Sequence, residues 1–143
     1  YTYLSYFAKQ GSISLYNYFV MQVSGREKKM SIRSQLLKGI LDGCVLAVIE
    51  KEPVYGYELS KKLQKVGLED VSEGTIYPVL LRLQRNKLIV GEMRPSESGP
   101  NRKYYSLTSA GQEALETISI EWNQLSVPIN ALLSKGDEPF EST

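Results

Sequence analysis

Apolar residues between positions 31 and 67 recur at intervals of three and four, which is the spacing of helices that bury one face. The first predicted helix begins at Ser31 and ends at Glu52-Pro53, because the residue before a proline is disfavoured in helical conformation. The second begins near Gly56 and ends at Gly67, since glycine commonly follows the last helical turn. The residues expected to face inward are Leu36, Leu37, Ile40, Leu41, Cys44, Val45, Leu46, Val48, Ile49, Leu59, Leu63 and Val66.

A third helical pattern follows Ser72, a residue type suited to cap a helix, with Glu73 in the first turn. Pro78 belongs near the start of this helix, because a proline deep inside a helix costs about 3 kcal/mol. We expect the helix to cover residues 74–86. Its core stripe consists of Ile76, Val79, Leu80 and Leu83.

After residue 87 the apolar period shifts towards two, which is typical of strands. Residues 88–94 and 102–107 are predicted to pair as a hairpin, and residues 95–101 between them are rich in turn formers. Three helices followed by a hairpin with a polar tip predict a mainly α, α+β-type winged helix-turn-helix.

The last apolar pattern lies in a helix that Thr108 can cap. Pro128 interrupts the backbone and is expected to bend the helix. Steps of three, four, three, four and three residues separate its apolar positions, as in the seam of a coiled coil. We call this set the seam, and it consists of Leu115, Ile118, Trp122, Leu125, Ile129 and Leu132. We therefore expect a C-terminal dimerisation helix whose seam meets that of a second copy.

Composition excludes several classes of catalytic site. The chain has no histidine and one cysteine, so zinc sites, Cys-His nucleophiles and Ser-His-Asp triads are all ruled out. No glycine-rich phosphate loop and no convincing pair of carboxylates is present, and we expect neither enzyme activity nor a cofactor nor a metal. The net charge is only +1, but nine Lys or Arg oppose six acids over residues 57–103. Residues 108–133 carry three acids and no base. The basic middle of the chain and its acidic C-terminal part therefore suggest two different functions.

A helix-turn-helix lays its second helix in the major groove of double-stranded DNA, with N-terminal side chains reaching base edges. Gly74 would allow close approach to the DNA backbone, and Thr75 and Tyr77 could donate to phosphates or bases. Arg82 could reach a phosphate or a guanine edge. On the hairpin, Arg102 and Lys103 are placed to reach a flanking phosphate or the minor groove.

Several ordered blocks of the sequence resemble the signature of PadR-family transcriptional regulators. They are residues 54–59, 73–80, 82–83 and 99–108 together with Gly111, and the resemblance extends over residues 30–134. Tyr57, Pro78 and Tyr104 lie within these blocks, and we include them among the DNA-binding residues. The short C-terminal region resembles that of the small subfamily with a single C-terminal helix.

The resemblance implies a homodimer on a pseudo-palindromic operator, with the last helix exchanged across the interface. It also implies a cytoplasmic repressor that a small aromatic, phenolic or multidrug-type effector releases from DNA in some members. Trp122 lies where drug-sensing members place an aromatic that stacks on flat ligands. Glu116 or Glu121 would favour a cationic ligand. The alternative is that Trp122 only packs in the dimer core.

The sequence divides into residues 1–29, a DNA-binding domain over 30–107, and a dimerisation helix with a tail over 108–143. Residues 1–29 do not fit the pattern, and we expect the natural start at Met30 or Met21. The alternative is a genuine extension that packs on the dimer. No stretch of residues 1–29 is long enough to span a membrane. Two other functions stay open, namely a MarR-type winged-helix regulator and a winged domain that serves protein contact without DNA.

Overall fold

A computed structural model describes residues 31–134, so the expectations for residues 1–29 lie outside the described part. The described residues divide into two units, 31–40 and 41–134. In order, the elements are helices α1 (Ile32–Lys51), α2 (Gly56–Lys65) and α3 (Glu73–Arg85), strands β1 (Ile89–Ser96) and β2 (Gly99–Leu107), and helix α4 (Ser109–Leu133). This is the predicted winged helix-turn-helix followed by a long C-terminal helix.

The core of the second unit is built from the apolar stripes that the sequence predicts for its three helices. α2 packs against α3, and α3 packs against β1. The fully buried side chains include Val45, Leu46, Leu59, Leu63, Ile76, Leu80, Leu83 and Ile89. The prediction that Leu36 and Val66 face the core is wrong. Leu36 is exposed in the first unit, and Val66 is 76% exposed in the second. Val66 is the C-cap of α2 rather than part of its last turn, which turns its side chain away from the core.

The start of α3 is capped by backbone only. Ser72 is the N-cap, as predicted, and its carbonyl accepts from the N–H groups of Thr75 and Ile76 at 3.0 and 3.1 Å. Its hydroxyl makes no capping bond to the backbone and lies 3.2 Å from the Thr75 hydroxyl. Pro78 lies within α3 as its sixth residue, one turn further along than the first-turn position that costs least.

The hairpin is longer than predicted. β1 and β2 pair in antiparallel register as far as Ser96 and Gly99, leaving only Glu97 and Ser98 in the turn. The expected loop over residues 95–101 is therefore wrong. Pro95 lies at the register irregularity between Arg94 and Ser96, where a residue without an N–H interrupts no ladder hydrogen bond. Val54 adds an isolated bridge to Tyr105 on the other side of β2.

α4 is attached to the winged domain mainly at its first turn. The Thr108 hydroxyl accepts from the Gly111 N–H at 3.0 Å, which confirms the predicted cap, and donates to the Lys87 carbonyl at 2.7 Å. Gly111 is the only residue of α4 that is fully buried. The helix continues through Pro128 to Leu133. Most of its apolar surface is therefore uncovered by the described part of the chain.

Candidate nucleic-acid interface

The N-terminal half of α3 is the most open part of the helix-turn-helix. Gly74, Thr75 and Pro78 are exposed, and Tyr77 is 47% exposed. These four residues lie on the side of α3 that faces away from Ile76 and Leu80, because the buried stripe recurs every three or four residues. The structure thus brings four of the predicted DNA-binding residues onto one accessible surface.

Tyr77 is held in place by the preceding helix. Its ring lies against Gly56, where an added Cβ would approach the ring carbons and hydroxyl to 3.3 Å. The Tyr77 hydroxyl points to Glu73, with 3.4 Å between the oxygens. A glycine at the start of α2 therefore lets the Tyr77 ring lie close to the helix-turn-helix backbone while its edge stays accessible.

Arg82 is engaged within the protein. Its Nε donates to Asp42 Oδ2 at 3.2 Å and its Nη2 donates to Asp42 Oδ1, so the two side chains form a bidentate ion pair between α3 and α1. The hydrogen bond to Asp42 raises the pKa of Arg82 above its usual value, and the guanidinium is always charged. Arg82 remains 49% exposed. The sequence predicted an arginine free to reach DNA, whereas the structure shows one whose orientation is set by an acid.

Arg94, Arg102 and Tyr104 of the hairpin form a continuous series with Tyr55, the N-cap residue of α2, and we call this series the cation–aromatic ladder. The Arg94 guanidinium lies 4.8 Å from the ring centroid of Tyr104, whose ring is 5.4 Å from that of Tyr55. The Arg102 guanidinium lies 4.5 Å from the centroid of Tyr55. Such contacts stabilise exposed sites by about 0.5–1 kcal/mol each. Arg94 also pairs with Glu92, with 3.4 Å between Nη2 and Oε2, whereas no acid within residues 31–134 forms an ion pair with Arg102.

The ladder continues onto α2. Tyr57 stacks on Tyr55 at 6.4 Å between centroids, and the Lys61 ammonium lies 5.3 Å from the Tyr57 centroid. Tyr57 and Tyr104, both predicted to be DNA-binding residues, are therefore parts of one surface with Arg102. Cations held over aromatic rings keep their charge available to phosphate oxygens, which suits a surface that follows a nucleic-acid backbone.

Lys103 has a different environment from Arg102, although the two are adjacent. Its ammonium donates to Gln84 Oε1 at 3.1 Å on α3 and lies 5.6 Å from the centroid of Tyr105. Its side chain crosses Gly91, where an added Cβ would come within 2.2 Å of Lys103 Cε. Lys103 thus ties the hairpin to α3 through a neutral amide and keeps its charge, whereas Arg82 is the predicted DNA-binding cation that is paired with an acid.

Glu52, Lys62 and Tyr105 also have shifted pKa values. Lys62 on α2 contacts Glu52, and that contact raises the pKa of Lys62 and lowers that of Glu52. Burial, with a smaller contribution from Tyr77, raises the pKa of Tyr105. Lys62 is therefore a neutralised cation of α2, in contrast to Lys61 on the ladder.

Sequence reasoning missed four residues of this surface. Tyr55, Lys61 and Arg94 belong to the ladder, and Tyr55 comes next to Tyr104 because the adjacent Val54 bridges Tyr105, a long-range contact that no local spacing predicts. Arg85 is exposed, and no ion pair links it to any residue between 31 and 134. Its position in the helical period, opposite the buried stripe, was the signal that could have identified it.

The seam of α4 is largely uncovered. Leu115 and Ile118 are partly buried, and the other four members are 43–55% exposed. Trp122 is half exposed. Glu121 beside it is exposed, and so is Glu116, which lies nearer the N-terminus of the helix. A shallow cleft nearby is lined by Glu50, Leu115, Glu116, Ser119 and Ile120, so Trp122 lies outside it.

Residues 31–134 contain neither a membrane-spanning helix nor a metal-binding cluster. No helix there has the length and apolar character needed to cross a membrane. No group of three or more metal-ligating side chains in that part of the chain could hold a metal ion.

Comparison with known proteins gives consistent matches. The family model of the transcriptional regulator PadR-like family matches residues 45–117. A PadR-like transcriptional regulator from Bacillus cereus is similar at 53% identity and TM-score 0.65, over 71% of this chain and 98% of that one. A PadR family transcription regulator from Clostridium difficile shows 34% identity and TM-score 0.61, over 67% and 100%. A transcriptional regulator from Mycobacterium tuberculosis is 42% identical over 62 residues, which are 43% of this chain and 56% of that protein.

Proposed function

The chain belongs to the PadR-like family of transcriptional regulators, and from this premise we propose that it is a homodimeric, cytoplasmic repressor of a pseudo-palindromic DNA operator. Residues 30–107 bind DNA and residues 108–143 form the dimer. The observation that carries the proposal is the exposure of the α3 N-terminal half together with a ladder whose members are exposed or half-buried. Family membership argues against the MarR-type alternative.

Each part of the proposed interface has its own role. Thr75, Tyr77 and Pro78 enter the major groove with α3, and Gly74 allows the DNA backbone to approach. On the ladder, Arg102, Tyr57 and Tyr104 follow the flanking phosphates. Arg82 contributes through the edge of its guanidinium that Asp42 leaves unbound, and Lys103 contributes chiefly by holding the hairpin against α3.

The first prediction tests the phosphate contact of Arg102. Replacing Arg102 with alanine removes one fixed cation, so affinity for every duplex should fall and the slope of log affinity against log salt should flatten by about 0.9. Fluorescence anisotropy between 50 and 300 mM salt, on a random-sequence duplex and on one selected by the wild-type protein, measures both quantities. The matched control is Arg102→Lys, which keeps the charge and should keep the slope.

Three results would decide against DNA binding through this surface. A wild-type complex that does not respond to salt would contradict phosphate contact altogether. If Arg102→Ala bound DNA with the affinity of the wild type, the ladder would not be part of the interface. Failure to enrich any sequence from a random duplex library would favour the alternative of a winged domain used for protein contact.

A second prediction concerns the effector. Across a two-fold axis, Trp122 and its counterpart could hold a flat aromatic molecule by stacking, or a cationic one by cation–π attraction that Glu116 or Glu121 reinforces. A ligand that prefers the DNA-free arrangement would weaken operator binding by about five- to 150-fold. Trp122 is the only tryptophan, so quenching of its fluorescence by planar aromatics and phenolic acids reports on this site.

The control variant is Trp122→Leu, which keeps an apolar seam residue and should keep operator affinity while losing the response to the ligand. If compounds quench Trp122 fluorescence yet leave operator affinity unchanged, they bind at this site without regulating DNA binding. If no compound in a broad planar library quenches, Trp122 is a dimer-core residue.

A further inference from the structure

The ion pair between Asp42 and Arg82 joins α1 to the helix proposed to read DNA. From its geometry we propose that Asp42 is a positioning residue that sets DNA specificity, by fixing Arg82 for guanine recognition and withholding its charge from nonspecific phosphate binding. The inference rests on the proposed DNA-binding function.

The ion pair leaves part of the Arg82 guanidinium free to donate. A guanidinium has five N–H groups in a rigid planar fork. Asp42 takes the Nε–H and one N–H of Nη2, which leaves three N–H groups on Nη1 and Nη2. Those two nitrogens form one edge of the plane, and this edge has the spacing that contacts O6 and N7 of guanine. With half of the side chain exposed, a second bidentate contact is sterically possible.

The ion pair also lowers the conformational entropy of Arg82. A free arginine on a helix surface samples many rotamers and loses up to about 2 kcal/mol of rotamer freedom when one is fixed. In this protein the Asp42 contact holds the guanidinium before DNA arrives, so part of that cost falls on folding and not on binding. Because a preorganised fork meets a guanine in one geometry only, the gain applies to the correct base pair.

The ion pair also offsets the charge of Arg82. An arginine paired in a bidentate manner with a carboxylate presents almost no net charge to a distant phosphate. Nonspecific affinity follows the number of cations that neutralise phosphates. Arg85, Lys61 and Arg102 supply such cations elsewhere on this surface. Pairing Arg82 with Asp42 therefore lowers affinity for random DNA while leaving the reading edge of Arg82 in place.

The experiment compares two duplexes, a random-sequence one and the one that the wild-type protein enriches from a random library. For Asp42→Asn we expect higher affinity for the random duplex, with a salt slope steeper by about 0.9. We also expect the ratio of selected to random affinity to fall by about five- to 150-fold, the value of one bidentate base contact. The loss should be confined to one G·C pair in each half-site.

Two further variants separate positioning from charge. Arg82→Lys keeps the charge but has no fork, so it should lose discrimination at the same base pair. The double variant Asp42→Asn/Arg82→Lys should lose no more sequence discrimination than either single variant, because both substitutions remove the same base contact. The matched control is Glu50→Gln, which removes one carboxylate from the same helix, where the partner is the Gln112 amide at 3.1 Å.

The outcomes are distinguishable. If the wild-type protein enriches no sequence and binds no duplex, the proposed function fails and this inference fails with it. If it selects a sequence but Asp42→Asn leaves the ratio and the salt slope unchanged, the inference alone is overturned. A merely structural role for the pair would lower affinity for both duplexes together with the melting temperature, and that result would also overturn it.

Discussion

Replacing two residues of the seam by glutamate, Leu125→Glu together with Ile129→Glu, is expected to convert the protein into a monomer and to weaken binding to a two-fold operator by at least about 30-fold. The described part of the chain covers little of the seam, since Leu125 and Ile129 are 55% and 43% exposed. In a dimer these side chains would be buried between two α4 helices, as at the a and d positions of a coiled coil. Buried carboxylates without partners oppose that association strongly.

The loss of DNA affinity follows from symmetry. A two-fold protein binds two half-sites at once, and the specific advantage over random DNA is typically about 4–10 kcal/mol for the whole site. A monomer engages one half-site and retains about half of that free energy. Light scattering at micromolar protein measures the assembly, and anisotropy on the selected duplex measures the binding.

The control for this prediction is Gln124→Glu, which adds one negative charge to α4 away from the seam and should leave the protein dimeric. Circular dichroism should show that the double variant keeps its helices, because the core of the winged domain does not include the seam. If the Leu125→Glu/Ile129→Glu variant remained dimeric, the dimer interface would not be formed by the seam. A well-folded wild-type monomer at micromolar concentration would contradict the dimer altogether.

The elements that the sequence predicted well are those whose signals are local. α1 ends within a residue of the predicted boundary because Pro53 follows directly, and the Thr108 cap depends on a residue only three positions away. The hairpin was predicted too short, since a turn-rich composition over residues 95–101 does not show that strands can continue through it. Two residues suffice for the turn, and the register irregularity accommodates Pro95.

The candidate site was predictable in its position along the chain and less so in its contacts. Helical period places Thr75, Tyr77 and Pro78 on one surface, and the structure agrees. The pairing of Arg82 with Asp42 joins residues forty positions apart, so no local spacing could predict it. Lys103 illustrates the same limit, because its contact with Gln84 depends on how the hairpin packs on α3.

Replacing Gly111 by alanine is expected to reduce the free energy of unfolding by about 2–4 kcal/mol. At Gly111, an added Cβ would lie 2.0 Å from the carbonyl oxygen of Leu88 and 3.1 Å from Leu107 Cδ2. The first of these atoms belongs to the backbone, so the neighbour cannot move aside as a flexible side chain would. Relief requires α4 to shift by more than about 1 Å, since real Cβ atoms rarely approach other atoms closer than 3.0 Å.

That shift would break the hydrogen bonds that hold the start of α4. The Thr108 hydroxyl bonds both the Gly111 N–H and the Lys87 carbonyl, and the Thr108 N–H donates to the Leu88 carbonyl at 3.1 Å. Loss of a cap costs about 0.5–2 kcal/mol, each further hydrogen bond about 0.5–1.5 kcal/mol, and forced overpacking about 1–3 kcal/mol. Partial relaxation makes these contributions less than additive, which gives the expected 2–4 kcal/mol.

Urea denaturation at a fixed protein concentration measures the effect, because the stability of a dimer depends on concentration. The control variant is Gly39→Ala in α1, where no neighbouring atom lies within 4 Å of the added Cβ. Alanine in an open helix position should stabilise by about 0.5–1 kcal/mol, so the two substitutions should act in opposite directions. Because α4 also carries the seam, Gly111→Ala should weaken dimerisation as well as folding, whereas Gly39→Ala should leave DNA binding as it is. Equal stability of Gly111→Ala and the wild type would show that α4 does not pack against the Leu88 carbonyl in solution, and it would contradict this prediction.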